Sequence, residues 1–229
     1  MARRTRVKIC GITRVEDALR ADELGVDALG FVFVPKSKRF IDVQSAKAIA
    51  RQVSPFVTRV GLFLDAEAAV VHEALAAIPE LVPQFHGRES SDYCELFERP
   101  YLKAIGMAGG LPTEKELARF ENCGGFLFDS NAPGELGGTG HTFDWQSLVG
   151  GVNVPLILAG GLDAHNVGGG IKTLQPFAVD VSSGVEADKG IKDHDAMYQF
   201  MQAVAGQTSN LRATQGQSCG LTFNSEEMM

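Results

Sequence analysis

Cys10, Asp129 and Arg39 are the side chains of this 229-residue sequence best placed to carry acid–base chemistry. Cys10 closes the run Val7-Lys8-Ile9, Asp129 closes Phe126-Leu127-Phe128, and Arg39 lies in the basic loop Pro35–Phe40. A thiol and a carboxyl on separate strand ends can face a small substrate from two sides, one accepting a proton and the other donating one. A carboxyl donates at neutral pH only if apolar neighbours hold it protonated, and the three residues before Asp129 fit that role. Gly11 permits a sharp turn after Cys10. Thr13 and Glu16 have capping-box spacing, which predicts a helix start whose partial positive charge favours thiolate. Arg39 is a fork-shaped donor suited to a carboxylate. Each residue also has an ordinary alternative: a buried thiol acting as a small apolar group, a loop aspartate, and a solvated charge beside Lys36 and Lys38.

The elements that would position these groups follow from hydrophobic patterning. Short apolar runs at 7–9, 28–34, 58–64, 81–85, 101–105, 126–128, 156–159 and 177–181 read as strands. Helical patterns lie between them, with Asp42 and Asp65 as N-caps and Thr113/Glu116 as a second capping box. Two more helices are expected at 144–149 and 166–174, the latter weakened by Gly168-Gly169-Gly170, and a last one at 193–204. Eight strand–helix units without a composition break predict an α/β chain folded as a single (β/α)8 TIM barrel over residues 1–205. A doubly wound open sheet fits less well, because no G-x-G-x-x-G opens the first unit. Residues 206–229 are polar and without periodicity, and are expected to form a disordered tail.

In such barrels chemistry gathers at the C-terminal strand ends, with phosphate commonly bound after strands seven and eight. Gly160-Gly161 follows strand seven, and Ser182-Ser183-Gly184 follows Asp180 at the end of strand eight. These glycines and hydroxyls make a phosphate site the better reading over plain tight turns. Gly138, within Gly137–Gly140 after strand six, supplies further donors or belongs to a lid. His86, after strand four in Gln84-Phe85-His86-Gly87, also points at this face, where it either meets substrate or satisfies loop carbonyls. A base and an acid across a sugar suit opening a furanose ring and moving a hydrogen between neighbouring carbons.

Composition narrows the partners. A net charge of −7 argues against nucleic acid or anionic membrane, and no apolar run approaches the roughly 18 residues of a membrane span. The four cysteines are scattered without a CxxC pair, and the histidines lack metal-ligand spacing. We therefore expect a cytoplasmic protein with reduced thiols, no metal and no cofactor, acting on a small phosphosugar as a monomer or weak homodimer.

Lys8-Ile9-Cys10-Gly11-Ile12-Thr13, Gln84–Gly87, Asp129 with 137–144, Leu158–Leu162 and Asp180–Glu186 together resemble phosphoribosylanthranilate isomerase. The resemblance spans residues 6–205. It implies a barrel enzyme of tryptophan biosynthesis that performs an Amadori rearrangement without cofactor or metal. By the same resemblance Cys10 is the base at C2 of the ribose, Asp129 the acid at the ring oxygen, and Arg39 the partner of the anthranilate. Gln84, His86 and Asp180 join it as substrate contacts, with Gly138, Gly160, Gly161, Ser182, Ser183 and Gly184 around the phosphate. A non-catalytic phosphosugar-binding barrel and a related sugar-phosphate isomerase of the two-aspartate type are the alternatives.

Overall fold

The computed structural model describes residues 4–107, 110, 112–130 and 155–217, with side chains as far as 207. Eight parallel strands close into one barrel: β1 (Arg6–Cys10), β2 (Ala28–Val32), β3 (Thr58–Phe63), β4 (Val82–Phe85), β5 (Tyr101–Gly106), β6 (Cys123–Asp129), β7 (Leu156–Leu158) and β8 (Ala178–Val181). Between them run α1 (Val15–Glu23), α2 (Val43–Ala50), α3 (Ala68–Ala77), α4 (Ser91–Glu95), α5 (Glu114–Leu117) and α6 (Val167–Leu174), and α7 (His194–Gln217) follows the barrel. The helix expected at 144–149 lies outside the described residues.

Alternation along each strand sorts the side chains. Val7, Ile9, Phe63, Phe85, Val179 and Val181 point outward into the core shared with the helices, all nearly inaccessible. The residues between them therefore point into the barrel. There, Cys10 packs with Val32, Val34 and Leu62, while Ala104, Leu127, Ile157, Ala159 and Ala178 form a separate apolar cluster. The same phase puts Lys8, Gln84, Asp129 and Asp180 on the inner face.

Local signals hold at several ends. The Asp42 side chain caps α2 by accepting from Ser45 N, and Thr113 with Glu116 forms the reciprocal box at α5. Gly25 ends α1 with φ of +77°. Two caps differ from expectation. α1 starts at Val15 with Arg14 at its cap position, because the Thr13 hydroxyl donates instead to the Gly190 carbonyl. α3 starts after Glu67, because Asp65, at φ of +47°, turns its carboxylate to the Arg88 N–H across the next loop. In both cases a tertiary partner outcompetes the local one.

α7 also departs from expectation, running through Gly206 to Gln217 where a disordered tail is predicted. One interior glycine costs a helix only about 1 kcal/mol, and Leu211, Arg212 and Ala213 are good helix formers. Residues 218–229 lie outside the described residues. Gly168 of α6 has a packing reason: a Cβ there would meet the Gln207 side chain of α7 at 3.1 Å.

At the opposite end of the barrel from the strand termini, buried Arg59 of β3 gathers carbonyls at the end of α2. It donates to Ala50 O (2.8 Å), Val53 O (2.8 Å) and Ser54 O (3.0 Å). Arg59→Met leaves these acceptors buried, so we predict a loss of about 2–3 kcal/mol in urea unfolding with kcat unchanged. An unaltered unfolding midpoint would contradict this assignment.

Candidate active site

Cys10, at the end of β1, has its backbone held from two sides. Gly11, at φ of +80°, turns the chain, and a Cβ there would press on Arg39 Cδ at 2.6 Å. The Cys10 carbonyl accepts from Ser182 Oγ (3.0 Å) and from Lys192 Nζ (2.6 Å). Its side chain is 5% exposed. A methyl on Gly30 of β2 would stand 2.7 Å from Cys10 Sγ and 3.1 Å from Lys8 Nζ, so glycine leaves room for both. Burial pushes the thiol up from its ordinary range, against the pull of Lys8 and Lys192. The expected thiolate bias from a helix start is thus overturned: α1 begins five residues after Cys10, and desolvation dominates.

Lys8 and Asp180 are register partners on β1 and β8, and Lys8 Nζ lies 2.9 Å from Asp180 Oδ1 inside the barrel. Burial works against the ammonium, but Asp180 and Cys10 outweigh it and hold Lys8 charged. Asp180 also feels Asp129 and His86 from across the interior. Through this carboxyl, Cys10 and Asp129 belong to one electrostatic neighbourhood.

His86 is desolvated and held below its ordinary value, with Asp129 and Asp180 opposing, so the ring is neutral. Gln84 Nε2 sits 3.2 Å from His86 Nδ1. The other ring nitrogen, Nε2, faces Asp129 Oδ2 at 3.8 Å. Asp129 is 8% exposed at the end of β6. Gln84 Oε1 and Ser130 Oγ are buried without a partner among the described residues, a polar surface that a ligand can satisfy. Lys103 fixes the His86 segment from behind, donating to Phe85 O (3.2 Å), Gly87 O (2.7 Å) and Glu89 (3.1 Å).

Arg39 is neither solvated nor free. Its Nε and Nη2 grip Glu186 at 2.8 and 2.7 Å, and Lys192 Nζ reaches the same carboxylate at 2.9 Å. Glu186 opens a hairpin, β9 (Glu186–Asp188) with β10 (Ile191–Lys192), which residue patterning did not anticipate. Its strands are two and three residues long, too short for a periodic signal. Gly190 at φ of +83° was the available clue. After β7, Gly160 (φ +81°) and Gly161 (φ +62°) turn the chain, and a Cβ on Gly160 would strike Ser130 N at 2.4 Å. After β8, Ser183–Val185 is a single 3-10 turn, whose leading N–H groups have no partner within it. Gly138 lies outside the described residues.

A closed (β/α)8 barrel with a thiol, a carboxyl and a neutral imidazole on its inner face defines an enzyme of the acid–base type. A sequence model described as "N-(5'phosphoribosyl)anthranilate (PRA) isomerase" matches residues 7–203. N-(5'-phosphoribosyl)anthranilate isomerase of Pseudomonas fluorescens (strain SBW25) is 50% identical over 199 residues, covering 87% of this chain and 95% of that protein. Phosphoribosyl anthranilate isomerase from Thermotoga maritima is 41% identical with a TM-score of 0.78, covering 88% of this chain and 99% of that one. A further solved phosphoribosyl anthranilate isomerase holds reduced 1-(o-carboxyphenylamino)-1-deoxyribulose 5-phosphate, at 37% identity and a TM-score of 0.72, covering 88% and 99% of the two chains. The chain belongs to the N-(5'-phosphoribosyl)anthranilate isomerase family.

Burial works to raise Glu186, yet Arg39 and Lys192 hold it below its ordinary value. A depressed carboxyl contributes stability that is present above its unfolded value and lost as pH falls through its folded one. Glu186→Gln is therefore predicted to cost about 3 kcal/mol at neutral pH, a deficit that shrinks as pH falls below about 4. Denaturation curves across pH check this, and a deficit independent of pH would contradict it.

Proposed function

We propose that this chain converts N-(5'-phosphoribosyl)anthranilate to 1-(2-carboxyphenylamino)-1-deoxyribulose 5-phosphate, with Cys10 as base and Asp129 as acid. The observation that carries the reading is the common phase of the two groups: both end inward-facing strand positions of one barrel, with Asp180 coupled to each. Family membership supplies the substrate class, and the bound sugar phosphate of a solved relative supports it.

The protons balance as follows. Asp129 protonates the ring oxygen, the bond from C1 to that oxygen breaks, and the nitrogen lone pair closes C1=N. The Cys10 thiolate takes the C2 proton; the released pair forms C1=C2 and returns electrons to nitrogen. Proton gain at C1 and loss from the C2 hydroxyl then yield the ketone. In this reading Gln84 donates to Nδ1, so that neutral His86 carries its proton on Nε2 and favours the Asp129 carboxylate left after proton transfer. Arg39, held by Glu186 on two nitrogens, offers Nη1 to the anthranilate carboxylate. Gly160, Gly161, Ser182, Ser183 and Gly184 surround the phosphate with backbone donors.

Anthranilate fluorescence should fall as purified protein turns over the substrate. Cys10→Ser and Asp129→Asn are each expected to lower kcat by about 10²–10⁴-fold with circular dichroism unchanged. Full activity in either variant would remove that residue from the mechanism.

A further inference from the structure

We propose that Lys8, anchored by Asp180, is a positioning residue that keeps a positive charge against the Cys10 sulfur and so controls how readily that sulfur becomes the base. This rests on Cys10 being the base, as read above. Lys8 and Cys10 are two residues apart on β1 and share the inward phase. The point where a Gly30 methyl would stand touches both Sγ and Nζ, so the ammonium and the thiol converge on one spot. The ammonium and the sulfur are close enough for each to act on the other's charge.

The remaining charges around Cys10 leave this task to Lys8. β8 contributes Asp180, whose negative charge disfavours thiolate and whose own partner is Lys8. β2 contributes Gly30, which carries no charge. From the loop after β2, Arg39 is committed to Glu186; from β10, Lys192 is shared among Glu186 and two carbonyls, one of them that of Cys10. His86 and Asp129 stand across the barrel, with Nε2 of the neutral ring 3.8 Å from Asp129 Oδ2. Lys8 is thus the cation whose ammonium shares with the sulfur the space left open by Gly30. A lysine on a four-carbon stem, fixed by one carboxylate oxygen, can stay on the sulfur while the proton leaves C2. Asp180 pairs with the ammonium, and its negative charge takes back part of the field that Lys8 delivers to the sulfur.

The two residues must therefore move the thiol in opposite directions, which a merely structural ion pair would not do. The measurement is alkylation of Cys10 by iodoacetamide across pH, followed by mass of the Cys10 peptide in the full-length, ligand-free protein. For Lys8→Met the alkylation midpoint is expected to rise by about 1–3 pH units, the effect of removing one close opposite charge, with kcat/KM lowered at least about tenfold. For Asp180→Asn the midpoint is expected to fall. An unchanged or lowered midpoint in Lys8→Met, or an unchanged or raised one in Asp180→Asn, overturns the proposal. Should Lys8→Met fail to fold, the Asp180→Asn profile decides alone. If Cys10→Ser abolishes turnover while neither midpoint moves, the Lys8 assignment fails and the base assignment stands. If Cys10→Ser keeps full turnover, the base assignment has failed and this inference falls with it.

Discussion

The ion pair between Lys8 and Asp180 is the constraint on which the centre of this barrel depends. It lies across the seam where β8 meets β1, at matched register, so it forms where the barrel closes. Taking both charges out of water costs several kcal/mol per ion, and their mutual attraction offsets that only with good geometry. A pair of apolar residues would fill the same space without that penalty. The charge is therefore more economically explained by what it does to its neighbours than by stability. It places a cation beside a thiol whose burial alone would keep it protonated.

Around that centre, two polar clamps hold the loops that carry the other groups. Glu186 collects Arg39 and Lys192, and Lys192 in turn holds the Cys10 carbonyl, so the hairpin after β8 fixes the end of β1. Lys103 and Glu89 do the same for the segment bearing His86. Glu89 accepts from Asp65 N, and Gly87 leaves the room that the Asp65 carboxylate fills, a Cβ there lying 2.3 Å from its oxygen. Side chains on regular strands thus face the barrel interior, while residues beyond the strand ends hold one another.

Much of this was legible from residue order. Cys10 and Asp129 stop apolar runs, and the alternation of Phe126, Phe128 against Leu127, Asp129 is a period of two that fixes which side faces in. Lys8 carried the same signal, sharing the phase of Cys10, but a lysine in a strand is most often read as a surface charge. The errors have a common cause. Thr13 and Asp65 each had a plausible partner nearby in sequence and took another, the Gly190 carbonyl 177 residues away and the Arg88 N–H 23 away; Arg39, read as a ligand's donor or a solvated charge, took Glu186 147 residues away.

Sequence alone determined the repeating strand–helix units, the strand ends where chemistry concentrates, and the family, because periodicity and motif spacing are local properties that survive without coordinates. Tertiary structure decided the burial of the thiol and of His86 and the partners of Lys8, Arg39 and Lys192. Those depend on desolvation and on charges brought together only when β8 pairs with β1, and no spacing along the chain encodes a dielectric.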